Sequence, residues 1–533
     1  MVDKIIKQSP IFGEFTPEEA NRYFNLSKEK VSAHVDTLYY TVSVFNDSNE
    51  CSENMQALLN QLSGLKVQKA SNDSAPIEFF GLNVEKTRFV HYEYCLRLDE
   101  QFDIFISSFL PNENTPRIVV QLRSRMLVLE GVCKAICKSF RYVEDILFAF
   151  GLESDEVKEN RIDFAYHTNL IQNPYKYFTD DLLLKKLKTK LRTYHKVGEI
   201  GKKIDIDYVS FGHRNSNDIF VRIYNKSREV IEKNYKSFFI DKWLKDKLIS
   251  EYDYYCYTRA FEMKSYVTGL LIGRIDWYLE HGKNENIKKE LIEVKNSSYV
   301  NSDNTDQLRK IVDQYLPPVT LIMNIEYQTK RKFYCSLNEW IESYGIIASK
   351  NENSFTFFEH GDLPLSRLFI IYSLRSEILN YLTTQSLSFV ENKGTKDEKL
   401  SRWWERINQC YVEEYDKRII DLWRSYEQHT SLEKTKRRVC GNIAAASILK
   451  NNGFKNSTFL EDVSDVLCTL NDNDFYGFAA NPETGEVPVI EPKYYQHIKK
   501  RKVRQYRSIM KKEKQELKDS EVNKNESMRN ECK

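Results

Sequence analysis

What the 533-residue chain lacks narrows its chemistry first. No apolar run reaches the roughly 18 residues that cross a bilayer, so neither a spanning segment nor a membrane partner is expected. The opening "MVDKIIKQSPIFGEF" has no apolar signal-peptide core. Neither G-x-G-x-x-G nor a phosphate-loop lysine motif occurs, which argues against a nucleotide-binding α/β fold and an ATP-driven motor. The ten cysteines are scattered without a C-x-x-C pair. Cys133 and Cys137 stand four apart in an apolar helical pattern, as core residues do. Such thiols are expected in a reduced, cytoplasmic protein. A dominant charge is missing too. Lys and Arg number 79 against 77 Asp and Glu, a net charge of +2, so any nucleic-acid surface has to be local.

A chain of this length exceeds what one core supports, and several domains are expected. Residues 1–33 read as a polar leader, in which "TPEEANRYFNLSKEKVSAHV" outlines a short helix-turn-helix or two plain helices. Over 34–270, β-branched and aromatic runs predict strands at 35–44, 102–110, 117–129, 161–168 and 254–264, with two more around the turn "HRNSN". Helical periodicity marks 131–151 and a basic segment at 180–194. This order predicts an α+β domain, an antiparallel sheet covered by helices. Residues 271–395 read as a helix-rich continuation in which "SLNEWIESYG" (336–345) is an ordinary helix or the opening of a DNA-binding helix pair. A polar linker (391–401) and a C-terminal helical domain (402–492) follow, then a basic tail (493–533). Within the tail, 493–518 hold eleven Lys and Arg against two Glu, a solvated helix or a phosphate contact.

The densest chemistry lies in "SFGHRNSNDIFVRIYNKSREV" (210–230). A tyrosine hydroxyl is a weak nucleophile near neutral pH because its pKa is about 10. Flanking cations lower the cost of the phenolate and attract a phosphate. Arg222 and Lys226 flank Tyr224 at i−2 and i+2, which on a strand share its face. Arg214, Ser216 and Asn217 in the turn offer donors for DNA backbone oxygens. The alternative is a surface hairpin with cationic decoration. In "RIDFAYH", Asp163 and His167 share a strand face and make half a site for Mg2+ or Mn2+. Glu262 in "TRAFE" is either a further ligand or a partner for Arg259, and Gln121 offers one more oxygen.

Three segments, "RIDFA" (161–165), "FGHRNSN…VRIYNKSRE" (211–229) and "TRAFE" (258–262), resemble in order and separation the trans-acting replication initiators of rolling-circle plasmids and the related relaxases of conjugative transposons. The family strand reads R-x-E where this chain has R-x-x-E, Arg259 to Glu262. The resemblance covers roughly 30–270. It implies a nicking fold akin to the His-hydrophobe-His endonucleases but without their paired histidines, and no H-x-H occurs among the nine histidines. It implies that Tyr224 nicks one strand to give a 5′-phosphotyrosyl link and a free 3′-OH, with Asp163 and Glu262 at the divalent metal. Origin DNA, a host helicase, a host polymerase and a second copy of the chain are the implied partners. A transfer relaxase of the same chemistry and a non-enzymatic DNA-binding regulator are the alternatives.

Overall fold

The computed structural model describes most of residues 10–410, apart from short breaks and the segments 297–304 and 342–364, and only scattered stretches beyond 410. Ser216, half of "SLNEWIESYG" (339 and 342–345) and the basic tail lie outside the described residues. The chain divides into two compact units, Met1–Ser425 and Tyr426–Lys533. In the second unit, Thr458 forms a capping box with Glu461 at the head of the helix Phe459–Leu467, and two short strands, Gly477–Ala479 and Val489–Glu491, pair antiparallel.

The first unit is built on one eleven-stranded sheet. Its strands are β1 (Val31–Val44), β2 (Glu78–Phe79), β3 (Leu82–Glu85), β4 (Tyr94–Leu98), β5 (Phe102–Ile106), β6 (Ile118–Leu122), β7 (Ser154–Thr168), then β9 (Tyr194–Ile200), β10 (Lys203–Phe211), β11 (Ile219–Asn225) and β12 (Met323–Lys330), while β8 (Leu187–Thr189) pairs elsewhere. The order across the sheet is β2-β3-β4-β5-β6-β1-β7-β12-β11-β10-β9, and every neighbouring pair is antiparallel. The expected α+β class therefore holds: a large antiparallel sheet with many helices.

Period-2 alternation sorts the central strands into two faces. Ile162, Phe164 and Tyr166 of β7, Ile325 and Tyr327 of β12, and Val221 and Ile223 of β11 join one apolar core with the helix Val132–Ala149. That helix buries Val132, Ile136, Phe140, Val143 and Leu147, the face its periodicity predicts. The opposite face carries Arg161 and Asp163, Asn324, Glu326 and Gln328, and Arg222 and Tyr224.

Several expectations are corrected. The stretch 254–264 is not a strand but most of the helix Glu251–Glu262, opened by a capping box between Ser250 and Asp253. Tyr252, Cys256, Tyr257 and Ala260 recur at helical spacing and are buried, so periodicity overrides the strand preference of tyrosine and phenylalanine. Residues 124–129 form a helix rather than a strand extension. The leader is not a helix-turn-helix. Its helix Pro17–Phe24 is followed by β1 from Val31, and Phe15 and Phe24 pack on Trp277. The polar linker at 391–401 holds the turn of a hairpin that pairs Leu387–Glu391 with Lys399–Leu400. Among the described residues, no helix is long and apolar enough to cross a membrane.

Candidate active site

The hairpin β10–β11 is the one the sequence predicts, in register Tyr208 to Tyr224 and Ser210 to Arg222. Gly212 opens its turn at φ +84°, and a Cβ there would stand 3.2 Å from the Ile219 carbonyl, so a side chain would be strained and crowded there. Arg214 is exposed in this turn, and its carbonyl accepts from Lys330. Asn217 donates its backbone N–H to the His213 carbonyl at 3.0 Å.

The strand ends just after Tyr224. The Asn225 side chain accepts from the Arg228 N–H at 2.9 Å and caps a short helical turn, Lys226–Arg228. Lys226 and Ser227 donate backbone N–H groups to the Ile322 carbonyl, which ties this turn to the entry of β12. Lys226 is therefore not the i+2 residue of a strand. Its side chain nevertheless comes back to the tyrosine, with Nζ 3.5 Å from the hydroxyl. The ammonium is fully buried over the Phe239 ring, 2.7 Å from Glu229 and 3.8 Å from Asp36. Burial disfavours its charge, yet Asp36 and Glu229 hold its pKa above the ordinary lysine value.

The groups the sequence reading missed are on β12. Tyr224 donates its hydroxyl to Glu326 Oε2 at 3.1 Å and accepts from Asn324 Nδ2 at 2.8 Å. Arg222 pairs with the other oxygen of Glu326 and lies 5.5 Å from the Tyr224 ring centre. Burial, then the negative charge of Glu326, raise the Tyr224 pKa well above 10, so the hydroxyl is protonated and aimed at an acceptor. The signal was present in "MNIEYQTK": polar Asn324, Glu326 and Gln328 alternate with Met323, Ile325 and Tyr327. Asp36 was missed as well. It is the extra residue of a bulge, because Val35 faces Phe164 and Thr37 faces Asp163.

Asp163 lies on the same face, two strands from β11 and two rows along. The Arg222–Glu326 pair occupies the row between Asp163 and Tyr224. Arg161 Nε contacts Asp163 Oδ1 at 2.7 Å. Burial, aided by Glu326, lifts the Asp163 carboxyl to about 7 against the pull of Arg161. Gln328 is its direct cross-strand partner.

The remaining expected ligands are not gathered here. His167 is enclosed by His34, Phe239 and Trp243, and its Nδ1 accepts from the Trp243 N–H at 3.0 Å. Burial, then the nearby His34, keep its pKa well below the usual value. Glu262 stands at the exposed end of its helix and takes a hydrogen bond from Arg259 at 3.0 Å. Gln121, on β6, is four strand spacings from β11, roughly 19 Å. Among the described residues, no three His, Cys, Asp or Glu side chains assemble as a metal set. Oxygen donors nevertheless lie beside Asp163. Gln328 Oε1, directly across from it, is buried without a hydrogen-bond partner, and Asp163 feels the second carboxylate of Glu326.

No family model and no curated protein matches the chain. Among solved structures it is similar to the rolling circle replication initiator protein from Geobacillus stearothermophilus, at 12% identity over 74% of this chain and 100% of that one, with a TM-score of 0.31. A likeness at that level carries no functional conclusion.

Proposed function

We propose that this protein is a DNA-nicking transesterase that starts rolling-circle replication, with Tyr224 as nucleophile. One observation carries the proposal: a carboxylate, an amide and an ammonium converge on a single phenol hydroxyl, with a guanidinium beside its ring.

In this reading Glu326 accepts the phenol proton as the oxygen attacks phosphorus. The bond from phosphorus to the 3′ oxygen breaks, and that oxygen leaves with the electron pair and takes a proton from solvent. The products are a 5′-phosphotyrosyl end and a 3′-OH. One phosphodiester is exchanged for another, so nicking needs no ATP. Arg222 and Lys226 face the charge that develops on the phosphoryl oxygens. Asp36 and Glu229 keep Lys226 protonated for that role. A divalent cation, Mg2+ or Mn2+, would be held by Asp163, Glu326 and the amide oxygen of Gln328, and when bound it would offset the same charge. A host helicase and polymerase would then extend the 3′-OH.

The test uses supercoiled DNA of the replicon that encodes the protein, with Mg2+ or Mn2+. Wild type is expected to give open circles and a nucleotide-linked peptide containing Tyr224 by mass spectrometry, and Tyr224→Phe neither. Nicking by Tyr224→Phe, or an adduct on another residue, refutes the assignment.

A further inference from the structure

Beyond Asp163 the polar face opens into a cavity of about 460 Å3 over β4, β5 and β6. Two features set it apart from the rest of the face. Phe89, 44% exposed, meets Phe105 edge to face with ring centres 4.8 Å apart. Below them, the Asp103 carboxylate holds two guanidiniums, Arg97 Nε at 2.7 Å and Arg123 Nη2 at 2.6 Å. Asp103 is 1% exposed, while both arginine side chains remain one-third exposed at the cavity wall. The cavity thus offers an aromatic surface beside two fixed donor forks.

The cavity is linked to the Tyr224 site by the Phe239 ring, which both Lys236 and the buried Lys226 overlie. Lys236 lines the cavity and donates to Ser124 Oγ at 2.8 Å. Its charge also acts on Asp36, the residue beside Lys226. Five strand spacings separate β5 from β11, roughly 24 Å, a span of a few nucleotides of extended strand.

We propose that this cavity captures one unpaired guanine of the strand cut at Tyr224, so the inference rests on the nicking reading above. Its ring stacks on Phe89, because every base offers a π-face to an exposed aromatic side chain. Its O6 and N7 acceptors meet Arg97 and Arg123, the pairing that suits a guanidinium fork. Adenine would set its N6 amino donor against a guanidinium, and a pyrimidine lacks the paired acceptors. A phosphate alone would need the cations but not the two rings.

The experiment uses the full-length Tyr224→Phe protein and fluorescent oligothymidylates carrying one dG, one dA or no substitution, read by anisotropy. The dG strand is expected to bind about tenfold more tightly than the other two. Phe89→Ala is expected to weaken binding of all three about tenfold. Arg97→Gln or Arg123→Gln is expected to erase the preference for dG while leaving weaker binding to all strands. Circular dichroism confirms that each variant is folded. Equal binding of the three strands, or a dG preference that survives both arginine variants, overturns the inference. The two readings fail separately. Wild type that forms the Tyr224 adduct without a base preference sinks the guanine cavity alone. A preference lost on Arg97→Gln in a protein that never forms the adduct keeps the cavity and sinks the nucleophile.

Discussion

Asp163 and Asp103 share the polar face of the sheet and are equally buried, yet they are clamped differently. Asp103 is held by two arginines and Asp163 by one, with the second carboxylate of Glu326 nearby. In the first arrangement two guanidiniums share one buried carboxylate, Glu85 stands 3.9 Å from Arg97, and both guanidiniums face partly outward. At Asp163 burial, with the Glu326 carboxylate adding to it, raises the proton affinity against the pull of Arg161 and Arg222. Identical residue types thus make an outward-facing guanidinium wall at one place and an enclosed carboxylate corner at the other.

The strongest test of this contrast is at the corner. Glu326→Gln keeps the shape but removes the proton acceptor, and nicking is expected to slow about 10²–10⁴-fold while DNA binding persists, as single-turnover cleavage and anisotropy would read. Next comes pH. The folded-state pKa of Asp163, about 7, lies above its unfolded value. The native state therefore binds the extra proton, and the resulting stability is greatest in acid and falls as pH rises toward 7. A tenfold difference in proton affinity between the folded and unfolded chain is worth about 1.4 kcal/mol. Urea melts across that window should show the decline, and Asp163→Asn should flatten it. At the other carboxylate, Asp103→Ala leaves two guanidiniums facing each other. An enclosed pair would cost about 3–5 kcal/mol, and the one-third exposure of both arginines lowers the expected loss to about 2–3 kcal/mol. The smallest effect is expected at Glu262→Ala, an exposed ion pair, with stability changed by less than about 0.5 kcal/mol and cleavage unaffected. A large loss of cleavage there would return Glu262 to the site.

The hairpin was legible because its signals are local: alternation, a glycine turn and an asparagine cap lie within 210–230. The helix Val132–Ala149 was legible through its 3.6-residue period. Glu326 was not, because β12 sits in a stretch whose surroundings are helical, and nothing within eight residues says that it inserts between β7 and β11. Glu262 misled because tyrosine and phenylalanine favour strands, while the burial period of 251–262 is that of a helix. Lys226 reached the tyrosine by a route that strand alternation did not describe. The bulge at Asp36 depends on a cross-strand register that no single strand encodes.

In chain order β12 is the last of the eleven strands, about a hundred residues after β11, and it fills the slot between β7 and β11. Until it arrives, those two strands are not joined, and the phenol has no oxygen to take its proton. Contacts so distant in sequence form late and slowly. On the nicking reading the topology would act as a safety catch: a chain truncated before residue 323 would carry the cutting group without the means to fire it, and competence to break DNA would come only with a closed sheet.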